Sequence, residues 1–135
     1  MGRHHAVLMT RKYNWKTGCD VEATLSVIGG RWKPILLCHL LEGRKRFSEL
    51  RRLTPNATER MITLQLRELE ADGVITRHVF AEVPPRVEYE ITKLGQSLES
   101  MLIQMREWGA AFKVRKLAEE SPVEDSKEER STQNA

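Results

Sequence analysis

The stretch TERMITLQLRELEADG, residues 58–73, carries two faces. Ile62, Leu66, Leu69 and Gly73 step by four, three and four, so in a helix they line one side and form its core face. Arg60, Thr63, Leu64 and Arg67 fall on the opposite side, with Gln65 flanking. An ordinary solvated face is mostly charged, whereas this one mixes two arginines, a hydroxyl and a leucine. That mixture suits a DNA major groove. Arginine bonds guanine edges or phosphates there, threonine serves either, and an apolar side chain meets a thymine methyl. Thr58 stands at the helix N-terminus, where its hydroxyl can both cap the helix and meet a phosphate. The competing reading is a solvated helix with one stray leucine.

Just upstream, RFSELRRL (residues 46–53) predicts a short helix, with Ser48 as its cap and Phe47, Leu50 and Leu53 facing inward. TPNA (residues 54–57) is a tight connection built on proline and asparagine. A short helix, a turn and a longer helix make a helix-turn-helix, here over residues 47–72. In that motif the first helix crosses the DNA backbone. Ser48, Arg51 and Arg52 are therefore candidate phosphate contacts, and Arg44, Lys45 and Arg46 stand ready to add to them.

Downstream, VITRHVF (residues 74–80) reads as a strand, and RVEYEI (residues 86–91) alternates Val87, Tyr89 and Ile91. Pro84 and Pro85 lie between them. Proline cannot donate to a strand ladder, so the pair marks a projecting tip rather than a strand interior. A hairpin over residues 74–91, directly after a helix-turn-helix, is a wing, and its stiff tip would hold Arg86 outward toward DNA. In an ordinary stiff hairpin end, Arg86 would pair with Glu82 or Glu88 instead.

Two helices precede this unit. Val21, Leu25 and Ile28 have helical spacing, with Asp20 as N-cap and Gly29-Gly30 as the stop. The second helix follows Pro34 and runs through ILLCHLL to Gly43. It is apolar nearly all round, which predicts the central core helix, with Cys38 a small buried residue in it. A long helix starts near Thr92 and closes the series over residues 92–117. In it Leu94, Leu98, Met101, Met105, Trp108 and Phe112 form a coiled-coil-like seam, widened by Leu102 and Ile103. A single winged domain has little core left to cover so long a stripe. Dimerisation is therefore expected, and a helix folded back on its own domain is the alternative. A two-fold dimer would set two recognition helices on half-sites roughly 34–36 Å apart, which calls for a pseudo-palindromic operator.

Composition bounds the rest. The 135 residues are 40% apolar and 30% charged, which is a soluble globular balance for one domain. The longest purely apolar run, residues 35–38, is far short of the ~20 residues of a membrane span. Residues 6–9 are too short an apolar patch for a signal-peptide core, so a cytoplasmic protein is expected. The net charge of +3 hides an asymmetry. Residues 119–135 hold six acids and two bases, which leaves 20 bases against 13 acids in residues 1–118. Seven of those bases fall between Gly43 and Arg67, against Glu49 and Glu59. Such a basic block points to a polyanion. Three parts follow: a basic, loosely ordered arm over residues 1–17, a folded domain over 18–118, and a disordered acidic tail over 119–135.

Cys19 and Cys38 form no CxxC, and a zinc site would need His4, His5, His39 or His78 to converge with them, so no metal is expected. HExxH, GxxxxGK[ST] and GxSxG are all absent, and the chain reads as a non-enzyme. The runner-up is a winged-helix module for protein–protein contacts without specific DNA binding. The basic, mixed recognition face argues against it.

CDVEATLSVIGGRWKPILL, RFSELRR, MITLQLRELEADGVITR and VPPRVEYEITKLGQSL occur in order and at the right spacing, and together they resemble an HxlR-type winged helix-turn-helix transcriptional regulator. The resemblance covers residues 19–112. It implies a mainly α fold with a small β-hairpin, and a dimer formed by the first and last helices. Leu25 would then join Leu98, Met101, Met105, Trp108 and Phe112 in the interface. It further implies a bacterial DNA-binding regulator, expected to be a repressor, with no cofactor. Some members carry a cysteine just before the first helix, as Cys19 is here, and use it to sense electrophiles or oxidants. A helix N-terminus favours a reactive thiolate, and Lys16 and Arg31 would help if near. A purely structural Cys19 is the other reading. The chain departs from the family pattern at Ala57, where a larger aliphatic is common, and at Leu64, where a polar residue is common.

Overall fold

In a computed structural model, residues 13–120 are described, and they fall into two units divided after Glu99. The first unit runs α1 (Asp20–Ile28), α2 (Lys33–Leu41), β1 (Lys45–Arg46), α3 (Phe47–Leu53), α4 (Glu59–Ala71), β2 (Ile75–Phe80), β3 (Arg86–Ile91) and α5 (Lys93–Gln96). A last helix, α6 (Glu99–Glu120), makes up the described part of the second unit. The fold is mainly α with a small antiparallel sheet in the order β1-β3-β2. No described helix is long and apolar enough to cross a membrane.

Helix α2 is the hub of the first unit. Leu36, Leu37 and Leu40 have no solvent exposure, and the helix packs against α4 and β3. Ile62, Leu66 and Leu69 of α4 are equally inaccessible, so the four-three spacing marks the core face as expected. Cys38 is only half-buried, because it sits on the side of α2 away from those leucines. Gly73 ends α4 with φ +78°, a left-handed conformation that glycine adopts at little cost. Gly95 is required for a different reason. A Cβ there would lie 2.2 Å from the Val74 carbonyl oxygen, so only glycine lets α5 approach that closely.

Several local expectations are corrected. Cys19, not Asp20, occupies the N-cap of α1, and it makes no side-chain cap. Arg46, not Ser48, holds the N-cap of α3, and the Glu49 carboxylate accepts from the Arg46 backbone N–H at 3.1 Å. Leu53 is 44% exposed rather than inward, because α3 ends there and Leu50 alone of the three inward candidates is fully buried. The hairpin gains a third strand, β1, which pairs Lys45 with Tyr89 and Arg46 with Glu88. The last helical stretch is not continuous: α5 stops at Gln96 before α6 begins. Residues 13–17, assigned to a loose arm, form a turn in which the Asn14 side chain accepts from the Lys16 and Thr17 N–H groups. Glu119 and Glu120, assigned to the tail, close α6. The rest of the arm and tail, residues 1–12 and 121–135, lie outside the described residues.

Between α2 and α4 lies an ion pair that the apolar period does not announce. Lys33 Nζ stands 2.5 Å from a Glu68 carboxylate oxygen, with the two side chains 6% and 3% exposed. Charged side chains are rarely buried unless paired, and each of these neutralises the other. Lys33→Met would remove the cation beside the buried Glu68 carboxylate and is expected to cost about 3–5 kcal/mol in urea unfolding, whereas Lys33→Met/Glu68→Leu should recover most of that loss. A single variant as stable as wild type would show that the pair is effectively hydrated.

Candidate nucleic-acid interface

Helix α4 starts with a working cap. The Thr58 hydroxyl accepts from the Met61 N–H at 3.1 Å, and Glu59 places an acid in the first turn, where the helix dipole favours it. With Ile62, Leu66 and Leu69 turned inward, Arg60 and Arg67 are exposed and Thr63 and Leu64 are half-exposed. Those four side chains form one face, as the spacing predicts. Arg60 and Arg67 make no ion pair with a carboxylate among the described residues, which leaves both guanidiniums available to an external anion.

The preceding helix is less uniform. Ser48 and Arg52 are exposed. Arg51 is half-buried, and its guanidinium donates to the Ala57 carbonyl at 2.7 Å. Thr54, buried in the same turn, donates its hydroxyl to the Leu50 carbonyl at 2.7 Å. The two bonds brace the connection between α3 and α4. Arg51 thus has a structural partner, which the motif reading, treating it as a phosphate contact alone, did not include. Ala57 is 5% exposed, so the small side chain at this departure from the family pattern sits inside the turn.

The wing differs more. Both prolines lie outside the ladder, since β2 ends at Phe80 and β3 resumes at Arg86, and the Val83-Pro84 bond is cis. Arg86, however, is not held outward. Its guanidinium lies 3.1 Å from Glu88 and 3.2 Å from Glu82, and 4.1 Å from the centroid of the Phe80 ring. The local charge pattern wins over the motif because two carboxylates and an aromatic face surround the arginine. Arg44 is engaged too: it pairs with Glu90 at 2.7 Å and Glu88 at 3.7 Å and reaches His78 Nε2 at 3.2 Å.

Between α4 and the wing lies an open cleft of about 530 Å³, lined by Ser48, Glu59 and Thr63 on one side and by Arg77, Arg86 and Tyr89 on the other. The Tyr89 ring is buried, and burial raises its phenol above the ordinary value of 10, so the group is a neutral hydroxyl. Arg77 was missed in the sequence, where it reads as one more polar residue on a strand. Its facing register with Tyr89 was the signal, and that register is visible only once β2 and β3 are paired.

Elsewhere, Cys19 is exposed at the α1 N-terminus, and Leu25 of that helix is 37% exposed. In the second unit, Met101, Met105, Trp108 and Phe112 are all exposed, and the Trp108 and Phe112 rings stack at 5.1 Å. Leu98 is half-buried.

A capped amphipathic helix behind a braced turn, followed by a hairpin, defines a winged helix-turn-helix DNA-binding protein. The HxlR-like helix-turn-helix family model matches residues 27–117, and the chain belongs to that family. It is 58% identical over 97 residues to the HTH-type transcriptional regulator YybR of Bacillus subtilis (strain 168), which covers 72% of this chain and 78% of that one. Among solved structures, the HTH-type transcriptional regulator ytcD is 58% identical, with a TM-score of 0.68, over 70% of this chain and 97% of its own. The reduced form of the redox regulator HypR is 55% identical, also with a TM-score of 0.68, over 70% and 94%. The protein is a transcriptional regulator of the DNA-binding helix-turn-helix kind.

The brace at the turn gives a direct test. Arg51→Ala is expected to lower unfolding stability by about 1–2 kcal/mol through loss of a charged donor, and Arg52→Ala by less than about 0.5. Equal effects in urea titrations would mean that the Ala57 bond contributes nothing to the fold.

Proposed function

We propose that the protein is a homodimeric, sequence-specific repressor that reads a pseudo-palindromic operator with α4 and responds to oxidants or electrophiles through Cys19. The observation that carries the reading is the α4 face, with Thr58 at its start and Arg60, Thr63, Leu64 and Arg67 turned away from the core. Arg67 and Arg60 read base edges or phosphates, Thr63 serves either, and Leu64 meets a thymine methyl. Ser48, Arg52 and Thr58 hold the backbone. Arg51 and Arg86, each engaged within the fold, shape the surface and add charge to it.

The dimer is supported by the exposed apolar stripe of α6 and, separately, by exposed Leu25 on α1. A contiguous apolar stripe that faces water marks an interaction site, and for a regulator that reads a pseudo-palindromic operator the partner is a second copy. The sensing role rests on exposed Cys19 at a helix N-terminus and on similarity to a structure described as a redox regulator.

Fluorescence anisotropy on the DNA upstream of its own gene, against a scrambled duplex and across a salt series, tests the reading. Wild type should bind the first duplex tightly and with a steep salt dependence. Arg67→Ala should lose about 1–3 kcal/mol of discrimination, while Arg52→Ala weakens both duplexes alike and flattens the salt slope. An unchanged specificity ratio in Arg67→Ala would place the recognition face elsewhere. Equal weak binding of both duplexes, repeated on fragments selected genome-wide, would favour an interaction module. Oxidant should release wild type but not Cys19→Ser, and release of both would remove Cys19 from the mechanism.

A further inference from the structure

The arginines around the wing are not equivalent, and the difference points to one of them. Arg44 and Arg86 each contact two carboxylates. Arg77 is exposed and makes no ion pair with a carboxylate among the described residues. It lies on β2 directly across from Tyr89 on β3, so both side chains leave the sheet on the same face, toward the cleft beside α4.

Tyr89 fixes where that guanidinium sits. Tyr89 is 6% exposed, and the Arg77 side chain beside it draws its pKa back down against the rise that burial causes. The charge of Arg67 on α4 also lowers the Tyr89 pKa, more weakly than Arg77 does. Glu70 also acts there without forming an ion pair with either arginine among the described residues. Of the two carboxylates that line the cleft, Glu82 is taken up by Arg86, and Glu59 is exposed at the first turn of α4. Ser48 and Thr63 line the same cleft.

We propose that Arg77, seated by the Tyr89 hydroxyl, binds a backbone phosphate of the DNA strand that passes through the cleft between α4 and the wing. The assignment rests on the DNA-binding reading and adds to it a contact made by the strand of the wing rather than by its tip. An arginine fork matches a phosphate in two places, and an anchored fork loses less freedom on binding than a free one. With α4 in the major groove, the backbone that flanks the groove runs past the first turn of α4 and the wing, which is where the cleft opens. Tyr89 is a positioning residue in this arrangement, since it acts through Arg77.

The test uses the full-length chain and a duplex selected for tight binding from genomic fragments, followed by anisotropy across a salt series. Arg77→Gln should weaken the selected and scrambled duplexes alike, by roughly fivefold at low salt, and reduce the salt slope by about 0.9 per protein copy bound. Arg77→Lys should keep the slope and lose part of the affinity, because it keeps the charge but not the fork. Tyr89→Phe keeps the buried ring and should fall between wild type and Arg77→Gln. A scan of single methylphosphonate linkages gives a readout that a folding defect would not produce: one neutralised phosphate should weaken wild type and leave Arg77→Gln unaffected. If wild type binds steeply while Arg77→Gln keeps its full slope and the same methylphosphonate profile, the assignment fails alone. If wild type binds no duplex, the DNA-binding reading fails and takes the assignment with it.

Discussion

Ile62, Leu66 and Leu69 have no solvent exposure, and that burial decides which way the rest of α4 faces. A helix is a rigid cylinder, so once one side is fixed against α2 the opposite side is fixed as well. Arg60, Thr63, Leu64 and Arg67 owe their outward placement to the leucines beneath them. The Lys33–Glu68 pair adds a constraint of a different kind. Apolar contacts tolerate small rotations, whereas a buried charge must stay on its partner or bear the cost of an unpaired ion. The pair therefore ties the azimuth of α4 to α2 more narrowly than leucines alone would.

The excess of bases in residues 1–118 overstates what the surface offers to an anion. Lys33 is consumed in the core, Arg44 and Arg86 are tied to the carboxylates of the wing, and Arg51 braces a turn. What remains near α3, α4 and β2 is more selective: Arg46, Arg52, Arg60, Arg67 and Arg77 are exposed and form no ion pair with a carboxylate among the described residues. The consumed arginines still matter, because a turn that wanders or a wing that bends would move the free ones. Charge in this fold is divided between cations that hold the frame and cations that the frame presents.

That division explains which parts were legible in the sequence. The helices of the helix-turn-helix could be read because the 3.6-residue period is local, and the wing tip because proline carries its own exclusion from a ladder. Strand β1 could not be read: it is two residues long, and its existence depends on pairing with Tyr89 and Glu88 more than forty residues away. The fates of Lys33, Glu68, Arg51 and Arg86 were hidden for the same reason. Whether a charge is exposed or spent depends on a partner that only folding brings near. The N-cap of α3 was missed for a subtler cause. Ser48 has the side chain for a cap, but the Glu49 carboxylate already serves the Arg46 N–H, so the helix starts two residues earlier than a serine cap would place it.

The scarcity of free cations bears on why two copies would be needed. Each phosphate neutralised contributes a bounded amount to affinity, and the salt slope counts such contacts directly. One chain that presents Arg46, Arg52, Arg60, Arg67 and Arg77 has few contacts with which to outcompete non-specific DNA. A two-fold pair doubles them, and because both copies must fit one DNA duplex, the spacing of the half-sites becomes an added source of discrimination. The exposed Met101, Met105, Trp108 and Phe112 on α6 supply an apolar stripe that a second copy can cover. The stacked pair Trp108 and Phe112 is the part of the stripe with most area to bury, and its burial would scale with the apolar surface removed from water. In this arrangement the strength of the grip on DNA is set as much by apolar burial on α6 as by the arginines of α4.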